Sequence, residues 1–81
     1  MHTIAAELVA NVSSVSAQVG DVVTASDTLV LLESMKMEIP VLAEVSGIVT
    51  EIAVQPGDVI REGDVIAVID ESAGRGASDV S

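Results

Sequence analysis

The 81-residue chain has no cysteine, no phenylalanine, no tyrosine and no tryptophan. The absence of cysteine excludes disulfides, thiolate nucleophiles and cysteine-bound zinc. Without aromatic rings, the hydrophobic core has to be built from Val, Ile and Leu, and branched aliphatic side chains favour strands. The length corresponds to one small domain. We therefore predict a single all-β domain.

Positive charge is also scarce. Lys36, Arg61 and Arg75 are the only lysine and arginine residues, and the formal net charge is −10. A surface this acidic excludes nucleic acid and anionic membranes as partners, because basic side chains bind both. No apolar run approaches the roughly 20 residues needed to cross a bilayer, and the basic-then-apolar pattern of a signal peptide is missing. We expect a cytoplasmic protein without a membrane partner.

Groups that catalyse reactions are few. The only histidine, His2, lies next to a terminus, no glycine-rich phosphate loop is present, and the carboxylates are dispersed among turn signals. This set lacks the parts for nucleophilic, metal-dependent or phosphoryl-transfer chemistry. We therefore expect a carrier or binding domain and not an autonomous enzyme.

The chain contains an internal repeat. Residues 6–34 align without gaps with residues 43–71, at an offset of 37 residues. Two copies are too few for a solenoid, which needs about three stacked repeats, so each copy is expected to cover the other in a closed sandwich with a pseudo-two-fold axis. The identical pairs are Ala6 with Ala43, Glu7 with Glu44, Val12 with Val49, Gln18 with Gln55, Gly20 with Gly57, Asp21 with Asp58, Val22 with Val59 and Asp27 with Asp64.

Both copies have the same order of strand and turn signals. The connections after the first strands are Ala10-Asn11 and Ser46-Gly47, and Pro56-Gly57 is typical of a type II turn. Short strands with a turn signal every 8–12 residues predict a small sandwich or barrel. The predicted strands are 3–9, 12–17, 22–23 and 28–33 in the first copy and 41–45, 48–54, 59–60 and 65–70 in the second.

The sequence on either side of Met35-Lys36 reads as a mirror, which predicts a β-hairpin with these two residues at its tip. Two-residue hairpin loops prefer pairs such as Asn-Gly that tolerate positive φ. Left-handed dihedrals in Met and Lys cost roughly 1–2 kcal/mol each. Such strain on a rigid scaffold indicates function, and a solvated lysine in an ordinary turn is the alternative. The mirrored pairs are Ser34 with Met37, Glu33 with Glu38, Leu32 with Ile39 and Val30 with Val41.

Residues 72–81 differ in composition from the rest of the chain. They contain Gly74, Gly76 and three serines without an apolar period, which predicts a disordered tail after an ordered domain at residues 1–71. The offset of 37 residues places Met35-Lys36 opposite Ser72-Ala73, just beyond the last strand. The hairpin tip and the chain ends are therefore expected at opposite poles.

The segment ESMKMEIPV at residues 33–41, followed by AEVSGIV at 43–49 and QPGDV at 55–59, strongly resembles the biotinyl domains of biotin-dependent carboxylases. Its Met35-Lys36-Met37 core resembles the biotin-attachment motif of that family. The resemblance covers about residues 4–70. The chain looks like the small stand-alone biotinylated proteins of actinobacteria.

The resemblance implies a flattened barrel-sandwich hybrid of two four-stranded antiparallel sheets. It also implies biotin on Lys36, attached as an amide by a biotin protein ligase. Met35 and Met37 would be read by the ligase and position the amine, with Ser34, Glu33 and Glu38 flanking them. The domain would then be a biotin carboxyl carrier, a monomer on its own, serving a biotin carboxylase site, a carboxyltransferase site and an acceptor such as an acyl-CoA.

Two departures from the family and two alternatives remain. Ser34 stands where many members have Ala, and no insertion resembles the protruding thumb of some bacterial carriers, so the biotin arm is expected to swing more freely.

The main alternative is a lipoyl domain, which shares the fold but usually has Asp before its lysine and Ala after it. Met35 and Met37 favour biotin, although thioethers at these positions are also compatible with plugging the end of the barrel. An unmodified protein-docking module is the third possibility.

Overall fold

The computed structural model describes residues 1–71, and the predicted disordered tail at 72–81 lies outside the described residues. Within this range, no helix is long and apolar enough to cross a membrane. The eight strands are β1 (His2–Ala5), β2 (Ala10–Val15), β3 (Val22–Val23), β4 (Thr28–Ser34), β5 (Met37–Leu42), β6 (Gly47–Ile52), β7 (Val59–Ile60) and β8 (Val65–Asp70).

The strands form two four-stranded antiparallel sheets. Sheet A has the order β1-β8-β6-β3, and sheet B has the order β5-β4-β2-β7. The offset found in the sequence converts β2 into β6, β3 into β7 and β4 into β8, and it converts one sheet order into the other. The predicted all-β fold with a pseudo-two-fold axis is confirmed.

Backbone hydrogen bonds tie each half of the repeat to the other. The amide of Ala6 donates to the carbonyl of Asp64 at 2.8 Å, and the amide of Ala43 donates to the carbonyl of Asp27 at 2.8 Å. These two bonds are related by the repeat. Because each copy completes its hydrogen bonding with the turns of the other, the two sheets close into a flattened barrel.

The predicted Pro56-Gly57 turn is present. The amide of Asp58 donates to the carbonyl of Gln55 at 3.0 Å, and Gly57 has a φ of 95°. A positive φ at the third residue of a turn is the type II pattern. The carboxylate of Asp58 also accepts a hydrogen bond from the amide of Gln55 at 2.9 Å. The repeat-related turn has its positive φ at Gly20.

The core between the two sheets is entirely aliphatic. No polar or charged side chain in the described part of the chain is buried. Branched aliphatic side chains fill the space that aromatic residues occupy in other small domains, and their restricted rotamers give a stiff platform. The largest fully buried side chains are Leu29, Leu32, Ile66, Ile69, Val30 and Val49.

The prediction for the first strand of each copy was wrong. A strand at residues 3–9 was expected, but β1 ends at Ala5, where its pairing with β8 shifts register, and Val9 is 61% exposed. Ala10-Asn11, predicted as a connection, begins β2. In the second copy the strand occupies Met37–Leu42 instead of residues 41–45, because the hairpin extends it back to the tip.

The ends of β2 and β6 also differ from prediction. Both strands end two residues earlier than expected, at Val15 and Ile52. The amides of Ser16 and Ala17 both donate to the carbonyl of Leu29, at 2.8 and 3.2 Å, so the chain leaves the regular ladder at that point.

Candidate functional site

The hairpin predicted around Lys36 is formed by β4 and β5. Ser34 and Met37 are the last pair of the ladder, so the loop contains only Met35 and Lys36. The predicted register of the hairpin is confirmed. The observed pairs include Ser34 with Met37, Glu33 with Glu38, Leu32 with Ile39 and Val30 with Val41.

Both loop residues have left-handed backbone dihedrals. The φ of Met35 is 52° and that of Lys36 is 66°. Positive φ at both central residues is the type I′ pattern, whose twist matches that of the flanking strands. The ladder supports this geometry close to the tip, because Glu33 pairs with Glu38 on one side and with Asn11 of β2 on the other. The strained loop therefore follows β4, a strand that is paired on both sides, and leads into the edge strand β5.

The side chains of the tip project into solvent. Lys36 is exposed, and the exposed fractions of Met35 and Met37 are 92% and 61%. Lys36 takes no part in the hydrogen bonds or the ion pair between side chains of residues 1–71. The idea that the methionines plug the end of the barrel is wrong, because neither thioether is buried. The tip thus presents a free amine between two exposed apolar side chains.

Two carboxylates stand below the tip. Glu33 and Glu38 are directly opposite each other in the ladder, and both are exposed. Like charges at this position repel each other and destabilise a sheet by a few tenths of a kcal/mol. Ser34 is half-buried between Glu33 and the loop.

A shallow depression lies on one side of the tip. Its volume is about 330 Å³, and residues 33–36 are part of its lining. The other lining residues are Val9, Ala10 and Asn11 of the adjacent segment. These three residues were not among the site residues predicted from the sequence. The repeat contained a signal for one of them, since the exposed Val9 is matched by Ser46 in the second copy.

The start of the chain lies at the opposite pole. The amide of Glu44 donates to the carbonyl of Ala25 at 2.9 Å. Ala25 lies just before the start of β4, which is the end of that strand farthest from the tip. The carboxylate of Glu44 lies 3.3 Å from Nε2 of His2, and His2 pairs with Ile69 near the end of β8. The chain start and the last strand therefore meet far from Lys36, as the repeat predicted.

The donor set of the tip fits an amide-linked cofactor and no metal. No group of three or more His, Cys, Asp or Glu side chains suitable for a metal ion occurs among residues 1–71. A single accessible primary amine, held without a competing partner, is what an activated carboxyl group requires to form an amide.

The sequence model of the family described as biotin-requiring enzyme matches residues 3–69. The chain belongs to the biotin-requiring enzyme family. A biotinylated protein TB7.3 homolog from Mycobacterium leprae is 64% identical over 44 residues, which cover 54% of this chain and 62% of that protein. The match therefore spans less than two thirds of the length of this curated relative.

Two solved carboxylases contain a region of the same fold. Kluyveromyces lactis urea carboxylase matches with a TM-score of 0.80 and 36% identity, over 85% of this chain and 6% of the carboxylase. A single-chain, multi-domain long-chain acyl-CoA carboxylase matches with a TM-score of 0.81 and 29% identity, over 98% of this chain and 8% of the carboxylase. The predicted resemblance to small actinobacterial biotinylated proteins is confirmed, and the family and the named relatives support covalently attached biotin.

Proposed function

We propose that this chain is a biotin carboxyl carrier domain and that Lys36 is the residue that holds the biotin. The observation that carries the proposal is the two-residue tip, which projects the only lysine of the sequence into solvent from a strained type I′ loop. A strained loop on a well-paired scaffold indicates a requirement other than stability. Here that requirement is a defined position for one amine.

Attachment is an acyl transfer to the tip. The amine of Lys36 attacks the carbonyl carbon of biotinyl-adenylate in a biotin protein ligase, a C–N bond forms, AMP leaves, and the amine loses its proton to solvent. The chain supplies the nucleophile and its position. Met35 and Met37, which are exposed on either side of the amine, supply an apolar surface for the ligase, and Glu33, Ser34 and Glu38 form the flank below it.

The carrier role follows from what the domain lacks and from what it resembles. The site has no enclosed acid–base pair or metal cluster in the described residues, so the chemistry belongs to partner active sites. When bound, biotin accepts a carboxyl group at one site and releases it at another. We assign these sites to a biotin carboxylase and a carboxyltransferase, and the matches to two carboxylases support this assignment.

The acceptor substrate and the setting are part of the same proposal. The match to a long-chain acyl-CoA carboxylase supports an acyl-CoA acceptor. The net charge of −10 supports a soluble carrier that works in the cytoplasm as a monomer and meets its partners by diffusion. Met35 and Met37 favour biotin over lipoic acid, whose carrier domains usually have Asp and Ala beside the lysine.

Intact-mass measurement after co-expression with a biotin protein ligase tests the proposal. We expect one biotin per chain, with peptide mapping placing it on Lys36. Lys36→Arg should abolish labelling, because the guanidinium keeps the charge but is a poor nucleophile. A lipoyl adduct, or biotin persisting in this variant, would contradict the assignment.

A matched control asks whether the tip matters or only the presence of an amine. Arg61 is exposed at the start of the turn that ends at Asp64, so Arg61→Lys in the Lys36→Arg background moves the single lysine to an ordinary turn. We expect no labelling of this double variant. Labelling at position 61 would show that the ligase accepts any exposed lysine of the domain.

A further inference from the structure

The depression beside the tip has Lys36 among its lining residues. Any group attached to the amine of Lys36 is therefore tethered next to the depression. The volume of about 330 Å³ lies near the lower limit of small-molecule sites. The depression is open to solvent, so a group resting there remains within reach of a partner.

The lining combines apolar and hydrogen-bonding groups. Val9 and Met35 are lining residues with large exposed apolar side chains, whose exposed fractions are 61% and 92%. The lining residues also include Asn11, Ser34 and Glu33. The side-chain amide of Asn11 can donate and accept hydrogen bonds, the hydroxyl of Ser34 can do both, and the carboxylate of Glu33 can accept. Biotin has an apolar chain and thioether ring joined to a ureido group with two N–H donors and one carbonyl acceptor. The lining therefore offers complementary groups to both parts of biotin.

The internal repeat provides a comparison within one molecule. Val9 is matched by Ser46, which lies next to Gly47 at the pole of the chain start, away from the only lysine of the sequence. The two connections are related by the pseudo-two-fold axis, yet only the copy beside the tip carries a large apolar side chain in solvent. Exposing Val9 has no benefit for the core, because its side chain is outside it.

We propose that the biotin carried by Lys36 rests reversibly in this depression, against Val9 and Asn11. This inference depends on Lys36 being the attachment residue, as proposed above. The resting position would cover the apolar part of biotin between visits to partner sites, and it would restrict the arm that the sequence alone predicts to swing freely. Val9 and Asn11 are then residues that bind the cofactor, in addition to the hairpin residues.

Nuclear magnetic resonance of three forms of the whole chain tests the inference. The forms are the unmodified chain, the biotinylated chain and the chain acetylated on its amines, in which the charge of Lys36 is removed without a biotin ring. We expect the amide signals of Val9 and Asn11 to shift on biotinylation but not on acetylation. We also expect nuclear Overhauser contacts between the biotin rings and the Val9 methyl groups. Shifts confined to residues 33–38 in both modified forms would overturn the inference.

Two exposed valines give a matched pair of variants. Val9→Ser, which installs the residue of the repeat-related position, should remove the contacts with the biotin rings and reduce the shift at Asn11. Val22→Ser, at a valine that is 74% exposed in sheet A, should leave both unchanged. Both changes are at the surface, so both variants should fold. Intact mass of the same samples separates the two proposals, because a fully biotinylated chain without contacts to Val9 contradicts only the resting position.

Discussion

Met35 and Lys36 adopt backbone conformations that side chains with a Cβ disfavour. Their φ values of 52° and 66° lie in the left-handed region, where each such residue costs roughly 1–2 kcal/mol. Asn-Gly would form the same loop with less strain. The chain therefore has a thioether and an amine at two positions where the loop geometry favours Asn-Gly.

Met35→Asn should make the protein more stable and a poorer substrate for the ligase. Asn tolerates the left-handed region better than Met, so we expect the free energy of unfolding to rise by about 0.5–1 kcal/mol. Loss of the exposed thioether should slow biotinylation, measured as the initial labelling rate with a purified ligase. Urea denaturation measures the stability.

Met37→Asn is the matched control for this residue. Met37 lies in β5 and has no positive φ, so Asn brings no relief of strain there and has a lower preference for strands. We expect no increase in stability. An equal gain in stability from both substitutions would show that the loop strain is not the cause.

At the scale of a strand, β6 runs so close to β8 at Gly47 that no room is left for a Cβ. Gly47 begins β6, and a Cβ added there would lie 2.5 Å from the carbonyl oxygen of Asp70 and 2.9 Å from Cγ2 of Ile69. The corresponding residue of β2 is Ala10, which accommodates its Cβ in a buried position. The two copies of the repeat therefore pack differently where the last strand meets β6.

Gly47→Ala should be destabilising because the added methyl group meets backbone, which cannot move as a flexible side chain can. We expect a loss of about 1–3 kcal/mol, the usual range for overpacking. The urea midpoint should fall with an unchanged slope. Ser46→Ala, at the exposed neighbouring position, should change stability by less than about 0.5 kcal/mol. A Gly47→Ala variant as stable as this control would show that the strands can separate locally.

At the scale of the whole molecule, the two copies of the repeat share one core. Val12 and Val49 are related by the repeat, and their exposed fractions are 2% and 0%. Each accepts and donates backbone bonds to the other copy; for example, the amide of Val12 donates to Asp58 at 2.8 Å, and that of Val49 donates to Asp21 at 2.9 Å. Neither copy is therefore expected to be stable without the other.

Val12→Ala and Val49→Ala should have nearly the same effect. Each removes two buried carbons, which corresponds to a loss of about 2 kcal/mol, including the cavity. Both variants should unfold in one cooperative transition. Circular dichroism and the nuclear magnetic resonance signals of residues in either sheet should report the same midpoint. A biphasic transition, or a large difference between the two variants, would indicate that the halves unfold separately. Val22→Ala, at an exposed valine, is the control.

Local chemistry in the sequence determined the hairpin, the turns and the relation between the two halves. The register around Met35-Lys36 follows from the mirrored residues, because side chains in a strand alternate and a slip of one residue would expose the core face. The Pro56-Gly57 turn follows from Gly57, because glycine is the residue type that adopts the required positive φ without strain. The repeat also relates the strand order of one sheet to that of the other, because one unit is used twice.

Only the tertiary structure decided where β1 ends and which residues stand beside the tip. Val9 has the apolar character of a strand residue, but its exposure depends on how β1 leaves β8 after Ala5. Asn11 reaches the tip because β2 pairs with β4, a contact between residues far apart in sequence. The sequence did not determine whether Met35 and Met37 are exposed, since a thioether packs into the end of a barrel as readily as it faces a partner. Turn type and hairpin register depend on a few adjacent residues, so the sequence alone determined them. Pairing partners and burial depend on distant segments, so only the tertiary structure determined those.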